Sequence, residues 1–217
     1  SEQEYYLVNP SGAYRDYNAV MFRFNKNFSD RWSLRYSLVW SRLEGNTFGA
    51  NSYADEWEDL NGLTNADGKL PNNNEWESKL TVSYDFPWDI YATAYYLYLS
   101  GEYWTPYAVF EGLWYNDRAP VFLTERGSQQ FPGRHLFDLK VSKSFRFSGQ
   151  YRLDFSVDFF NLFDKRTTRS LDNQWGWYVY DYTDHPAGSF WDSNGGYRDV
   201  LSTERPREIR FGVRFFF

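Results

Sequence analysis

Alternation of side-chain character with a period of two residues limits what this chain can fold into more than any other property. In the final segment Ile209, Phe211, Val213, Phe215 and Phe217 fall on one face of a strand, and Glu208, Arg210, Gly212 and Arg214 fall on the other. One face suits hydrocarbon and the other suits water. The pattern recurs upstream. Tyr151, Leu153, Phe155, Val157 and Phe159 alternate with Arg152, Asp154, Ser156 and Asp158, and Phe137, Leu139, Val141, Phe145 and Phe147 with Asp138, Lys140, Ser142, Ser144 and Arg146. Trp76, Leu80, Val82, Tyr84 and Phe86 oppose Lys79, Thr81, Ser83 and Asp85, while Trp32, Leu34, Tyr36, Leu38 and Trp40 oppose Ser33, Arg35, Ser37 and Ser41. Residues 88–100 carry Tyr on both faces, so their orientation is not fixed by pattern.

Seven strands are expected, at about 17–28, 31–43, 75–86, 88–100, 134–147, 150–163 and 207–217. Short turns fall near 29–30, at Pro87 and at Ser148-Gly149, and three long segments without regular patterning span 44–74, 101–133 and 164–206. Short turns on one rim and long loops on the other are the layout of an outer-membrane β-barrel. Composition agrees. The aromatic fraction is 23%, with 10 Trp, 19 Tyr and 20 Phe, yet mean hydropathy is −0.71 and 24% of residues are charged. A barrel needs only a thin apolar skin with aromatic girdles around a polar lumen. No apolar run is long enough for a spanning helix, so a closed barrel is the remaining way to satisfy backbone groups in lipid.

The fold class expected is therefore all-β, an antiparallel transmembrane β-barrel segment. An odd strand count leaves open edges, so the chain reads as a portion of a larger barrel or one piece of a split one, with Tyr5–Val8 the end of a preceding strand. An amphipathic soluble β-domain that binds carbohydrate is the alternative the strands alone leave open. The absence of Cys is compatible with an exported protein, and no secretory leader is visible at Ser1-Glu2-Gln3-Glu4.

The closing strand resembles the C-terminal assembly signal of bacterial outer-membrane barrels, with Arg210, Gly212, Phe215 and Phe217 at its defined positions. Several stretches resemble TonB-dependent outer-membrane transporters. They are Arg126-Gly127-Ser128 with Pro132, the run Leu136 to Phe145, Phe160-Asn161-Leu162-Phe163-Asp164-Lys165-Arg166, and Pro206-Arg207 followed by Phe211 to Phe215. Ser41-Arg42-Leu43-Glu44-Gly45-Asn46 with Gly49 is similar to the Oar-like subgroup, whose plug is preceded by a carboxypeptidase-regulatory-like domain. The resemblance implies that residues 1–217 form the C-terminal 7 to 8 strands of a roughly 22-stranded barrel, with the plug elsewhere. It implies a receptor that takes up a ligand too large for porins. Its implied partners are TonB through a region upstream, the barrel-assembly machinery through the closing strand, outer-membrane lipid and lipopolysaccharide, and a surface lipoprotein or other chain. The C-terminus would be periplasmic and the long loops extracellular. A docking barrel of a cell-surface assembly that transports nothing is the rival reading.

Candidate contacts lie in the long loops. Trp104, Tyr107, Trp114, Tyr115, Trp175, Trp177, Tyr180 and Trp191 present flat rings that suit stacking on a ligand or anchoring a partner, and equally suit packing the loops together. Asp55, Glu56, Glu58 and Asp59 supply oxygen ligands for Ca²⁺, although the order is not that of an EF-hand and a solvated acidic loop has the same composition. No other cofactor is expected. Lumen charges such as Arg35, Lys79, Asp138, Lys140, Asp154, Asp158, Arg210 and Arg214 fit ion pairing along the wall. No catalytic constellation is evident, since His135 and His185 are the only imidazoles and neither sits in a hydrolase motif. A pI near 5.0 disfavours nucleic-acid binding.

Overall fold

The computed structural model describes residues 11–47, 60–111, 118–147, 151–180 and 189–217. Seven long strands form one antiparallel sheet in which every strand pairs with its neighbours in sequence. They are β1 (Arg15–Ser29), β2 (Trp32–Gly45), β3 (Trp76–Phe86), β4 (Ile90–Leu99), β5 (Arg134–Phe147), β6 (Tyr151–Phe160) and β7 (Glu208–Phe216). Each expected strand is present, and the ends differ by no more than a few residues. The notional strand at Tyr5–Val8 lies outside the described residues.

The register separates two faces. One row across the sheet runs Leu34, Val82, Ala94, Leu139, Phe159, Ile209, and the adjoining row runs Ser33, Ser83, Thr93, Lys140, Asp158, Arg210. The first row is wholly apolar and the second wholly polar. The same pairing settles β4, where Tyr96 shares the apolar face with Leu80 and Phe137, while Tyr91 and Tyr95 lie on the polar face beside Asp85 and Thr81. These rows also climb. Leu34 is near the short-turn end of β2, whereas Ile209 is near the long-loop end of β7. That stagger is what strands tilted around a barrel axis require.

Polar-face groups pair as the alternation implied. Lys140 meets Asp158 at 2.8 Å, Ser144 donates to Asp154 at 2.7 Å, Arg152 meets Asp154 at 3.2 Å, and the Ser83 and Thr93 hydroxyls share a bond of 2.9 Å. Gly212 sits opposite Ser156, where a Cβ would lie 2.6 Å from the hydroxyl and force it to rotate.

Aromatic residues band the apolar face at two levels. Trp40 pairs with Trp76 toward the long-loop rim, and Tyr98 packs on His135 at 4.8 Å. At the short-turn rim Tyr151, Phe215 and Phe217 form a stack with centroids 6.0 and 6.1 Å apart. From Trp76 to Phe86 the chain covers about 33 Å at about 3.3 Å per residue, or about 25 Å along the normal for a typical tilt of about 40°. That height matches the apolar band of an outer-membrane barrel.

The two short turns among the described residues are built without glycine. Asp30 and Arg31 take φ of 52° and 70°, the left-handed pair that a two-residue hairpin demands. Lys26 offsets the strain by donating to the Ser29 carbonyl at 2.9 Å, the Ser29 hydroxyl at 2.8 Å and the Trp32 carbonyl at 3.1 Å. Trp88 and Asp89 play the same part after Pro87, with φ of 66° and 56°. Residues 148–150 lie outside the described residues, but the flanking Phe147 and Tyr151 are in register.

As a single layer, the sheet has no core of its own. The buried apolar residues among those described are Leu43, Ala66, Leu70, Ala108 and Ala119, all at or beyond the long-loop rim. A charge placed mid-wall on the apolar face therefore separates the two environments. Val82→Lys should cost about 2–4 kcal/mol of barrel stability, while Thr81→Lys, one residue away on the polar face, should cost less than about 1 kcal/mol. The yield of heat-modifiable, folded full-length protein in membranes measures both.

Candidate functional site

The three long segments are not structureless, as their irregular sequence implied. They fold together into a platform over one rim. A four-stranded sheet takes Tyr107–Glu111 and Arg118–Phe122 from one segment and Gln174–Tyr180 and Ser189–Ser193 from another. Its central pair, Tyr107–Glu111 with Gln174–Tyr180, is parallel and joins loops distant in sequence. Ala108, 0% exposed, stands opposite Gly176 across that pair, where two small residues permit close approach. Asn173 donates to the Thr105 carbonyl at 2.9 Å, and the Tyr107 hydroxyl to Gln174 at 3.2 Å.

Arg126-Gly127 stitches in the remaining segment. Arg126 is 5% exposed, and its guanidinium donates to the Ala66 carbonyl at 3.1 Å. Its own carbonyl accepts from the Lys69 amide at 3.2 Å, and its amide reaches the Asn65 carbonyl at 3.0 Å. Gly127 has φ of 73°, and a Cβ there would lie 2.5 Å from the Lys69 carbonyl oxygen, so no other residue fits. Lys69 itself is held by Glu75 at 2.9 Å and by the Tyr103 hydroxyl at 2.7 Å. Burial disfavours its charge, but those two partners outweigh burial and leave its pKa above the ordinary value.

The Phe160–Asp164 motif closes the last loop. Asn161, 5% exposed with φ of 47°, donates its backbone amide to the Asp138 carboxylate at 2.8 Å and its side-chain amide to the carbonyls of Lys165 at 3.2 Å and Arg205 at 2.7 Å. Asp164 accepts from the Arg207 amide at 2.9 Å, and Arg166 stands 3.4 Å away. That amide, then Arg166, holds the Asp164 carboxyl below its ordinary pKa. Both ends of a loop of some forty residues are thus gripped by two side chains of one motif. A third tie joins Arg134 to Glu204 at 2.9 Å, with side chains 15% and 9% exposed.

Two clefts open on the platform. One, of about 340 Å³, is lined by Glu102, Phe131, Arg134, Arg169, Ser170 and Ser202 among others. The second, of about 510 Å³, is acidic, with Glu44, Asp67 and Glu125 around Tyr14. The Tyr14 hydroxyl donates to Asp67, and that bond, followed by burial and the neighbouring carboxylates, pushes its pKa to about 12.

Of the aromatic residues singled out, Trp104 packs on Phe131 at 6.0 Å and under Arg198 at 5.6 Å, and Tyr107 is half-buried against Gln174. Burial, then Asp172, raises the Tyr107 pKa. Trp175 is 37% exposed and Trp177 is half-buried. Tyr180 and Trp191 belong to paired strands described by backbone alone, and Trp114 and Tyr115 lie outside the described residues, as do Asp55, Glu56, Glu58 and Asp59. Among the described residues no group of three or more acidic or imidazole side chains is placed to hold a metal. Arg210, Gly212, Phe215 and Phe217 line up on the closing strand, with Phe217 95% exposed at the short-turn rim. Pattern reading missed the Arg134–Glu204 tie, because Glu204 stands in no alternating run, and it marked Arg126 only as part of a resembling motif, with no sign of its burial.

Two outcomes follow. Asn161→Gly keeps the left-handed backbone and removes only the side-chain bonds, so hydrogen exchange across 165–207 should lose about 1–3 kcal/mol of protection with the wall unchanged. Because the Asp164 pKa is depressed on folding, its contribution is full above the ordinary carboxylate value of about 3.9 and is lost as pH falls through the lower folded value. Protection of the Arg207 amide, corrected for intrinsic rate, should therefore be flat down to about pH 4 and fall below it, a dependence Asp164→Asn abolishes.

No protein-family model matches the chain. It is 23% identical over 98% of its length to the TonB-dependent transporter Oar of Myxococcus xanthus, of which it spans 24%. In fold it matches the ferric-catecholate import receptor Fiu from E. coli K12 in its closed form, with a TM-score of 0.54, 14% identity and coverage of 94% of this chain and 21% of Fiu. The chain thus spans about a quarter or less of the length of either protein. With its one-layer wall, two-faced register and loops gathered on one rim, the chain has the fold of part of a β-barrel like that of Fiu and is similar in sequence to part of the TonB-dependent transporter Oar.

Proposed function

We propose that the chain is a section of the wall and mouth of a transporter that takes up a ligand too large for porins, driven through TonB by parts of the protein outside this chain. The observation that carries this reading is the asymmetry of the two rims. One is closed by turns of a few residues, and the other bears a folded platform with clefts of about 340 and 510 Å³. A wall that only spanned the membrane would need no such platform. In this reading the platform faces outward, where it meets ligand, and the short turns and Phe217 face the periplasm, where the assembly machinery reads the closing strand.

Lumen-side groups support passage more than storage. The polar face carries clefts of about 520 and 540 Å³ along β1 to β3, lined by Arg23, Asn25, Arg35, Lys79 and Thr81. Such a surface suits a hydrated plug or a polar ligand in transit.

Epitope tags test the orientation. Gly195 has nothing within 4 Å of where a Cβ would stand, so a tag there should be tolerated and bound by antibody on intact cells. A tag between Asp30 and Arg31 should be reached only after the outer membrane is opened. For transport, cells lacking the gene should lose TonB-dependent uptake of at least one labelled compound from a panel of iron chelates, oligopeptides and glycans. Uptake unchanged across the panel, with a surface assembly lost instead, would replace transport by docking.

A further inference from the structure

Four charges that alternate in sign run along the cleft of about 340 Å³, with Glu102, Arg134 and Arg169 in its lining and Glu204 buried beside them. Glu102 stands 3.8 Å from Arg134, Arg134 donates to Glu204 at 2.9 Å, and Arg169 lies 3.7 Å from Glu204. The middle pair is committed to the loop tie described above. The two ends of the chain are not. The Glu102 and Arg169 side chains are 33% and 51% exposed, and neither makes a hydrogen-bonded ion pair among the described residues. The cleft therefore offers one open carboxylate and one open guanidinium.

The walls of the cleft are fixed. A Cβ at Gly101 would overlap the Phe131 carbonyl oxygen, the Phe131 amide donates to the Glu102 carbonyl at 2.9 Å, and the Gln130 side-chain amide donates to the Gly101 carbonyl at 3.0 Å. On the loop side, Thr168–Leu171 pairs with Val200–Thr203 along one edge and with no strand along the other among the described residues. Thr168, Arg169 and Ser170 all line the cleft. Successive side chains of a strand point to opposite faces, so three in a row present their backbone edge as well. An open strand edge takes up an extended peptide through main-chain hydrogen bonds. Charge narrows the ligand further. Two carboxylates balance two guanidiniums, so a polyanionic chelate would meet as much repulsion as attraction. A neutral glycan would be gripped by ring stacking, yet Phe131, the ring in the lining, already packs against Trp104 at 6.0 Å, and the Ser170 and Ser202 hydroxyls bond each other at 2.6 Å. A ligand with one charge of each sign fits best.

The placement of the two open charges decides which end of a peptide fits. Arg169 belongs to the open edge, so it meets a charge carried on the ligand backbone, and a guanidinium fork matches a carboxylate in a bidentate manner. A backbone ammonium there would face a like charge. Glu102 belongs to the wall side, three residues past the end of β4, so it meets a charge at the tip of a side chain. We propose that the cleft is a subsite for the C-terminal residue of an oligopeptide ending in Lys or Arg, with its carboxylate on Arg169, its side-chain cation on Glu102 and its backbone along Thr168–Leu171. The subsite rests on the transport reading above and names oligopeptides as the substrate class.

Retention of peptide pools by the purified full-length protein, read by mass spectrometry, tests it. The pools are pentapeptides mixed at the first four positions and ending in Lys, in amidated Lys, or in Ala. The Lys pool should be retained about ten-fold better than either of the others, the size of one charge-assisted hydrogen bond. R169Q should abolish the difference made by amidation, and E102Q the difference between Lys and Ala, two selective losses that a merely structural role would not produce. Arg134 and Glu204 are left in place, and heat-modifiability confirms that each variant is folded. Equal retention of the amidated pool overturns the proposal, as does retention of no pool at about 1 mM, where even a weak site fills. Tighter retention of maltohexaose than of the Lys pool overturns the peptide assignment. Uptake of the Lys pool by cells with and without the gene is read separately. Peptide retained with uptake independent of the gene removes the transport reading and leaves the site, whereas gene-dependent uptake of other compounds with no peptide retained removes the site alone.

Discussion

Everything in this chain depends on one condition: each strand must satisfy its backbone groups from the strands beside it, because neither face of the sheet is covered by a second layer. β2 to β6 are bonded on both edges, while β1 and β7 are each bonded on one, and these two carry Val20, Phe22, Phe211 and Val213 at more than half exposure. In hydrocarbon an unpaired strand edge is costly. The wall is thus stable only as part of a closed cylinder, with lipid against Leu34, Val82 and Leu139 and polar contents against Lys140, Asp158 and Arg210. Closure by further strands is what the match to about a fifth of a complete receptor accommodates.

The loops obey a different rule. Released from the wall, they find backbone partners in one another and bury Ala66, Leu70, Ala108 and Ala119, which gives the chain its only soluble-type core among the described residues. Wall and platform meet at a few polar ties, Asn161 and Asp164 at the end of β6 and Arg134 with Glu204 at the start of β5, while Arg126 joins two of the loop segments. These ties are local, so the platform can open without breaking the strand pairing of the wall.

The wall was legible in the sequence because its physics is periodic. Each strand writes its two environments as alternating residues, and turn residues such as Asp30 and Pro87 punctuate them. β4 was the exception, since Tyr serves both a lipid-water interface and a polar lumen, and only pairing with β3 and β5 separates Tyr96 from Tyr95. The platform was not legible. Its strands are short, and its central pairing joins Tyr107–Glu111 to a segment more than sixty residues away in parallel, which no local pattern encodes. Trp104 and Tyr107 stood out as aromatic but are engaged in loop packing. The Phe160–Asp164 motif was visible as a resemblance, while its work as a clasp on Arg205 and Arg207 appeared only in three dimensions.

The account stands on the two faces of the wall having different solvents. The chain has no cysteine, so single cysteines can be placed along β3 from residue 79 to residue 84 in the full-length protein, reconstituted in bilayers containing spin-labelled lipid. With a fluorophore at each position, lipid should quench those at Leu80, Val82 and Tyr84 and spare those at Lys79, Thr81 and Ser83, which a water-soluble quencher should reach instead. Equal quenching of both sets by either agent would contradict a barrel wall.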